Sequence, residues 1–269
     1  LRYPKTGRSS PPTCGFGSLR RMIHIGLSGY SYKPWQGEGR FYPADLKAKD
    51  FFQFYSQRYR AVEMDGTWYR MPSADMVAKW AAVEGEFVFC PKMHRDVTHR
   101  ARMKESGNDA AKFFLGRLRP GLEAGKVGPV LVQLPPNLKA DLPRMQGFLE
   151  MLPRQTSALA GEGGDAAIRY AVEYRNETWH TNEVEELLRE HGVAWVASDT
   201  DDADAQRRDT APHAYIRLRK TEYDEQALSE WAAYIRKLRE GGKEVFVFCK
   251  HEDEGSPWIW ADRLLELTK

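Results

Sequence analysis

Charged side chains stand at the ends of several short apolar runs in this chain. Glu63 and Asp65 close one such run and lie two residues apart. Glu173 and Arg175 do the same at the end of another run. Residues two apart on a β-strand point to the same side of it, so each pair shares one face. Carboxylates held in this way can act as general acids or bases, and a nearby cation such as Lys92 can bind an anionic group of a substrate.

The candidate site residues divide into two roles. We expect three catalytic residues, in which a carboxylate is the general acid or base: Glu63, Glu173 and Lys92. The expected substrate-binding residues supply hydroxyl, amide, carboxylate and cationic groups: Ser28, Tyr30, Tyr32, Asp65, Tyr69, Gln133, Arg175, Asp199, Arg217, Lys250 and His251. Inward-facing charges are costly unless they are paired. The same residues therefore have a second interpretation, a structural ion-pair network that closes the top of a barrel.

The first apolar run ends in a loop that is rich in hydroxyl and aromatic groups, residues 28–35. Gly26 and Gly29 lack a Cβ atom and could let the backbone approach a ligand closely. The rings of Tyr30 and Tyr32 could stack on a sugar or a base, or they could close the mouth of a barrel. Neither a Gly-x-Gly-x-x-Gly nor a Gly-Lys-Ser/Thr sequence occurs, so we expect no nucleotide cofactor.

Metal binding and thiol chemistry have little support in the sequence. The potential metal donors are spread along the chain without a recognised spacing: Glu63, His94, Glu173, Asp199 and His251. We therefore predict no bound metal and no organic cofactor. Cys249 ends an apolar run, but no base stands at a recognisable spacing from it. We expect Cys249 and Cys90 to be core residues.

Composition limits the class of partner. Forty Lys and Arg against 38 Asp and Glu leave a net charge of +2, so no overall field favours nucleic acid or an anionic membrane. The apolar runs are far shorter than the roughly 20 residues that span a bilayer, so we expect no membrane partner. Three cysteines without a Cys-x-x-Cys pair favour a reducing compartment, and we expect a cytoplasmic protein. Residues 1–21 are expected to form a disordered leader and residues 22–269 a single domain.

Eight short apolar runs, mostly separated by helical stretches, predict a parallel α/β sheet. The runs begin near residues 22, 61, 87, 130, 170, 194, 214 and 245. The length from residue 22 onward matches a TIM-barrel-like (β/α) barrel of about 250 residues. Periodicity alone leaves an open doubly wound sheet as the alternative. Residues 198–212 have turn chemistry and little helical periodicity, so we expect an irregular connection between strands 6 and 7.

Capping and terminating residues predict the ends of two helices. One is expected to begin after Asp141, which can cap it, and to stop at Pro153. The other is expected to follow Asp224 and to end at Gly241, because glycine commonly terminates a helix.

Several segments in order along the chain resemble a single family. They are IGLSGYSYKPW (residues 25–35), FYP (41–43), TWYRMPS (67–73), GPVLVQLPP (128–136) and YAVEYR (170–175). Together they resemble the YecE-like family, catalogued as domain of unknown function 72, over essentially residues 22–269. The resemblance implies a TIM-barrel-like fold, and hence a closed sheet. No established reaction comes with it.

Two positions depart from the family pattern. Residues 65–69 read Asp-Gly-Thr-Trp-Tyr, where much of the family carries an Asn-Ser/Tyr-Thr-Phe-Tyr run. This difference predicts a more acidic site. Residues 249–251 read Cys-Lys-His, where many members carry Phe-Asn-Asn, so this chain offers a lysine and a histidine in place of two amides.

These features favour an enzyme that acts on a phosphorylated or otherwise anionic carbohydrate or nucleotide-type substrate, with hydrolase or isomerase chemistry by its carboxylates. Basic runs at residues 92–104 and 217–220 support a second hypothesis, a nucleic-acid-binding or DNA-repair-associated protein. The third hypothesis is a non-catalytic scaffold, which would fit a rim whose charges pair only with one another.

Overall fold

The structure is a computed structural model that describes residues 23–159, 168–250 and 256–269, with the side chains of residues 153–159 left out. The expected leader, residues 1–21, lies outside the described residues. The predicted site residue His251 also lies outside them.

Eight parallel strands form the centre of the described chain. In order they are β1 (Ile23–Ser28), β2 (Ala61–Met64), β3 (Val88–Pro91), β4 (Val130–Gln133), β5 (Tyr170–Glu173), β6 (Ala194–Ser198), β7 (His213–Leu218) and β8 (Glu244–Cys249). Each one coincides with an apolar run predicted to be a strand. The eight predictions are therefore confirmed.

The sheet curves until its two outermost strands meet. Its order is β3-β2-β1-β8-β7-β6-β5-β4, which places β3 and β4 at the two ends. Parallel bridges join Phe89 to Val127 and Lys92 to Leu131 across this gap. The result is a nearly closed barrel, so the TIM-barrel-like prediction is confirmed and the open doubly wound alternative is not observed.

Helices pack against the outside of this barrel. Those described are α1 (Phe51–Arg58), α2 (Gly66–Tyr69), α3 (Ala74–Ala81), α4 (Asn108–Glu123), α5 (Leu142–Leu159), α6 (Asn182–Glu190), α7 (Glu225–Glu240) and α8 (Pro257–Leu267). Within the described ranges, no helix is both long enough and apolar enough to cross a bilayer. Residues 199–212, all of them described, contain no helix, which confirms the irregular connection between β6 and β7.

Of the two helices whose ends were predicted, α7 begins as expected and α5 does not stop where expected. Asp224 caps α7 as predicted, because its Oδ1 accepts a hydrogen bond from the Ala227 backbone N at 2.7 Å. Helix α5 begins after Asp141, but it continues through Pro153 to Leu159, so the predicted stop at Pro153 is wrong. A proline removes one backbone hydrogen bond and can bend a helix without ending it.

Buried side chains form two groups, because neighbouring residues on a strand point to opposite faces. The larger group lies between the sheet and the helices and includes Leu27 and Cys249. The smaller group fills the interior of the barrel and includes Ala61, Cys90 and Phe246. Both cysteines are fully buried, which confirms their prediction as core residues.

Gly26 permits a close approach of β1 to β2. A Cβ atom at this position would lie 2.0 Å from the Ala61 carbonyl oxygen and 2.9 Å from the Tyr55 hydroxyl. That hydroxyl accepts a hydrogen bond from the Leu27 backbone N and donates one to the Ala61 carbonyl, both at 2.8 Å. The contact that excludes a side chain here is therefore with a neighbouring strand and a structural tyrosine.

We expect Gly26→Ala to lower the free energy of unfolding by about 1–3 kcal/mol or more, since backbone atoms must move to admit the methyl group. Urea denaturation followed by circular dichroism measures the change. Gly147→Ala is the matched control, because nothing lies within 4 Å of its added Cβ inside α5. Helix propensity predicts a gain of about 1 kcal/mol for that control. Equal stability of the two variants would contradict the close packing of β1 and β2.

Candidate functional site

A buried arginine lies between two glutamates at the C-terminal end of the barrel. Arg217 on β7 is completely buried, with 0% of its surface exposed. Its Nη2 donates to Glu63 Oε1 at 2.7 Å, and its Nη1 donates to Glu173 Oε2. Glu63 and Glu173 are themselves buried on β2 and β5. These three residues, all predicted to belong to the site, lie together at the strand ends and are called the buried triad below.

The Glu63 carboxylate is surrounded by donors. Ser28 Oγ donates to Oε1, the oxygen that Arg217 also binds. The Tyr215 hydroxyl donates to Oε2 at 2.7 Å. Tyr215 was not among the predicted site residues, although it stands two residues before Arg217 on β7 and shares its face. That alternation was the signal available in the sequence.

The Glu173 carboxylate also accepts hydrogen bonds from several donors. Gln133 Nε2 donates to Oε2 at 2.9 Å, and Arg219 Nη1 donates to Oε1 at 3.3 Å. Burial alone would raise the pKa of Glu173, but Arg217, Arg219 and the Gln133 hydrogen bond outweigh it and lower the pKa to about 2. Glu173 is therefore ionised at neutral pH and has little capacity to accept a further proton.

A second group of charges lies just beyond the ends of β2, β3 and β8. Lys92 Nζ is 3.5 Å from Asp65 Oδ1, and Lys250 Nζ is 3.9 Å from Asp65 Oδ2. We call these three residues the rim cluster. Burial alone would raise the pKa of Asp65, but the two lysines outweigh it and the pKa lies below its usual value. Burial lowers the pKa of Lys92, and the charge of Asp65 only partly opposes this.

The position of Lys92 is set by its neighbours on the turn after β2. The Lys92 backbone N donates to Thr67 Oγ1 at 2.9 Å, and the same hydroxyl donates to the Lys92 carbonyl at 2.7 Å. Its Nζ lies 5.4 Å from the centre of the Trp68 ring. Trp68 Nε1 donates to His99 Nδ1 at 3.3 Å. Burial and nearby cations lower the pKa of His99 to about 4, so the ring is neutral and can accept that bond.

The predicted tyrosines lie in different places. Tyr32 and Tyr69 are 37% and 60% exposed. Burial raises the pKa of Tyr32, and the charges of Asp65 and Glu63 raise it further. Tyr30 instead packs its ring against Phe52 on α1, with 5.4 Å between centroids. The structure therefore brings Tyr32 and Tyr69 to the mouth and Tyr30 to the helix layer.

Two further predicted residues lie outside both clusters. Asp199 accepts hydrogen bonds from the Tyr223 hydroxyl at 2.6 Å and from Trp231 Nε1 of α7 at 3.3 Å. Its carboxylate thus faces the helix side of the sheet. Arg175 is exposed, and its charge helps to lower the pKa of His99 at the rim.

Other kinds of site have less support in the structure. Across residues 23–159, 168–250 and 256–269, no three His, Cys, Asp or Glu side chains converge as metal ligands would. A cleft of about 860 Å³ lies between the 103–108 segment and α5, and it contains none of the predicted site residues. The charged mouth therefore remains the strongest candidate.

Eight parallel strands, surrounding helices and charged side chains at the C-terminal strand ends define this protein as a TIM-barrel-like α/β protein. The chain belongs to the family described as "Protein of unknown function DUF72", whose model matches residues 24–269. This match confirms the resemblance to the YecE-like family.

Proteins from three bacteria are similar to this chain. UPF0759 protein YunF of Bacillus subtilis is 25% identical and aligns with 91% of this chain and 94% of its own length. The crystal structure of the DUF72 family protein TM1631 of Thermotoga maritima is similar with a TM-score of 0.77 at 25% identity, covering 91% of this chain and 98% of that one. A DUF72 family protein of Enterococcus faecalis, EF0366, has a TM-score of 0.67 at 18% identity over 91% and 97% of the two chains, a likeness in fold alone.

Proposed function

We propose that the mouth of the barrel binds a small anionic ligand, with a phosphate or carboxylate group between Lys92 and Lys250. One observation carries the proposal: two ammonium groups lie on either side of the Asp65 carboxylate, at the long distances of 3.5 and 3.9 Å. An anionic group could approach both lysines more closely than Asp65 does. Charge-assisted hydrogen bonds of about 2.7–2.9 Å are the favoured geometry.

The buried triad supports the rim cluster in this proposal and does not contact the ligand. Its carboxylates already accept hydrogen bonds from Arg217 and their other donors, and Arg217 has no exposed surface. The triad holds β2, β5 and β7 together below the ligand. The structural interpretation therefore suits Glu63 and Glu173 better than a general-base role, and any proton transfer would involve Lys92 at the rim.

The class of ligand follows from the surroundings of the lysines. Exposed Tyr69 and Tyr32 offer ring faces and hydroxyl groups at the same mouth. Such groups suit the hydroxyls or the ring of a sugar or nucleoside. A phosphorylated carbohydrate or nucleotide-type metabolite is accordingly the ligand class that we propose.

We expect inorganic phosphate to bind the wild-type protein at low ionic strength, and Lys250→Met to weaken this binding about tenfold or more. The reason is that a hydrogen bond to a charged group contributes about 1.5–3 kcal/mol, and 1.4 kcal/mol corresponds to a factor of ten. Isothermal titration calorimetry measures the affinity. The control is Lys112→Met, which removes an exposed lysine on α4 and leaves the affinity unchanged. If both variants weakened phosphate binding equally, the binding would depend only on the net charge of the protein.

A second candidate function, binding of single-stranded nucleic acid, is favoured by the aromatic groups at the rim. Tyr69 is 60% exposed and packs edge-on against Trp68 at 4.6 Å. The Arg95 guanidinium lies 6.0 Å from the centre of the Trp68 ring, and Arg100 is exposed nearby on the basic run. Bases stack on aromatic rings while basic groups contact phosphates. The same calorimeter separates the two functions, because oligonucleotide binding that weakens steeply with salt, without phosphate binding, would favour the second.

A further inference from the structure

We propose that the Lys92 ε-amine is a nucleophile that condenses with the carbonyl group of a small anionic aldehyde or ketone to form a Schiff base. This inference rests on the proposed function, because the anionic group of the same molecule would be held beside Lys250. It adds a covalent step and narrows the ligand to a carbonyl compound.

The surroundings of Lys92 fit a nucleophilic amine. Only 6% of the residue is exposed, and its Nζ approaches the face of Trp68 at 5.4 Å. Among the carboxylate oxygens of the described residues, only Asp65 Oδ1 lies within 4.0 Å of this nitrogen. Removal from water together with the nearby charge of Arg217 disfavours the ammonium form of Lys92, and these are the conditions that activate lysines.

Lys92 is better suited to this role than Lys250. The Lys250 side chain is more exposed, at 17% against 8%, and it stands farther from the shared carboxylate. The Lys92 backbone N–H donates to the Thr67 hydroxyl and the Lys92 carbonyl accepts from it, so Thr67 fixes the backbone that carries the amine. A fixed backbone keeps the nitrogen in one place, which favours attack from a defined direction. Lys250 would hold the anionic group of the ligand on one side, and the iminium cation formed by Lys92 would face it on the other.

The reaction balances without an oxidant or a reductant. The Lys92 ammonium first gives up one proton to solvent at the mouth of the barrel, because the lowered pKa of Asp65 makes its carboxylate a poor final acceptor. The neutral amine then adds to the carbonyl carbon, and a proton moves from the nitrogen to the oxygen to give a carbinolamine. Return of the first proton to the hydroxyl releases water and leaves a protonated C=N bond. One ammonium and one carbonyl thus yield one iminium cation and one water, and the iminium can keep the ion pair with Asp65.

The test traps the Schiff base in wild-type protein with sodium cyanoborohydride and glyceraldehyde 3-phosphate. The modified lysine is then identified by peptide mass mapping. We expect Lys92 to be labelled severalfold faster than exposed Lys112, because burial lowers the pKa of Lys92 and leaves more of its amine neutral at a given pH. We also expect labelling of Lys92 to persist to lower pH than labelling of Lys112. Lys92→Arg removes this fast labelling.

Two further labelling experiments distinguish covalent modification of Lys92 from binding of the anionic group. Glyceraldehyde without its phosphate should label Lys92 more slowly, and inorganic phosphate should slow labelling by the phosphorylated probe. Labelling spread evenly over surface lysines, with phosphate still bound in calorimetry, would overturn the Schiff base and leave the proposed function standing. Fast labelling of Lys92 that is equal for both probes would support the nucleophile and overturn the anion site.

Discussion

Arg217→Met lowers the free energy of unfolding at pH 7 by about 3–5 kcal/mol, because removing one partner leaves buried charges uncompensated. Methionine fills much of the space of the arginine stem, so the loss of stability comes mainly from the missing charge and less from the change in side-chain volume. The Glu63 and Glu173 carboxylates would then face each other without their shared cation. Urea denaturation at pH 7 measures the loss.

The pH dependence of this variant distinguishes lost charge from lost packing. Without Arg217, at least one of the two buried carboxyl groups gains protons more readily in the folded state. A group whose pKa is raised on folding stabilises the protein at low pH and loses that effect as pH rises. The gap between Arg217→Met and wild type should therefore narrow from pH 7 to pH 5. A constant gap would mean that packing alone is responsible.

A matched control comes from the surface. Arg100 is an exposed arginine whose Nη1 binds Asp96 at 2.8 Å one helical turn away. Arg100→Met should change stability by less than about 1 kcal/mol, the range for surface ion pairs. Similar losses in the two arginine variants would contradict the central role of the buried triad.

Glu173→Gln is the second change with a large expected effect. It preserves the shape of the side chain but removes the negative charge that Arg217 and Arg219 bind. We expect a loss of about 3–5 kcal/mol at pH 7, because a partner of a buried ion pair is removed. Denaturation curves recorded at several pH values measure both this loss and its pH dependence.

The sign of that pH dependence follows from the depressed pKa of Glu173. Its value of about 2 in the folded protein lies below the ordinary value of 4.5. The carboxylate therefore contributes stability above about pH 4.5, and this contribution is lost as pH falls towards 2. The difference corresponds to about 3 kcal/mol, at 1.36 kcal/mol per pKa unit.

Wild-type protein should consequently lose stability between pH 4.5 and pH 2 more steeply than Glu173→Gln. Glu123→Gln provides the control, since Glu123 is exposed on α4 and pairs only with Arg119 one turn away among the described ion pairs. That control should retain the wild-type slope. If Glu173→Gln also kept the full slope, other carboxylates would be responsible for the acid sensitivity.

Local patterns were sufficient for the fold class and for much of the site. Glu63 was predicted at the interior lip of the barrel and lies buried near the end of β2, whereas Asp65, predicted to share its face, stands beyond β2 with a helical backbone. Apolar runs located all eight strands, because strands buried on both faces have few polar residues. The irregular segment after β6 was visible as turn chemistry without helical spacing.

Partners from distant strands were harder to predict. Tyr215 and Glu63 are 152 residues apart, and their hydrogen bond depends on how β2 and β7 face each other across the barrel. Tyr30 is a prediction that failed. Its place in the loop after β1 suggested a residue at the mouth of the barrel, but its ring packs against α1. Side-chain direction in a loop depends on backbone turns that periodicity does not describe.

The amino-acid order alone was enough to predict eight strands, and it suggested a mixed acid and base site at their ends. Alternation is a local property of the strand, which is why these features could be read directly. Closure of the sheet settled which charges pair: Arg217 lies between Glu63 and Glu173, while Lys92 and Lys250 share Asp65. Pairing depends on distances across the barrel, and these distances are fixed only when the sheet closes between β3 and β4.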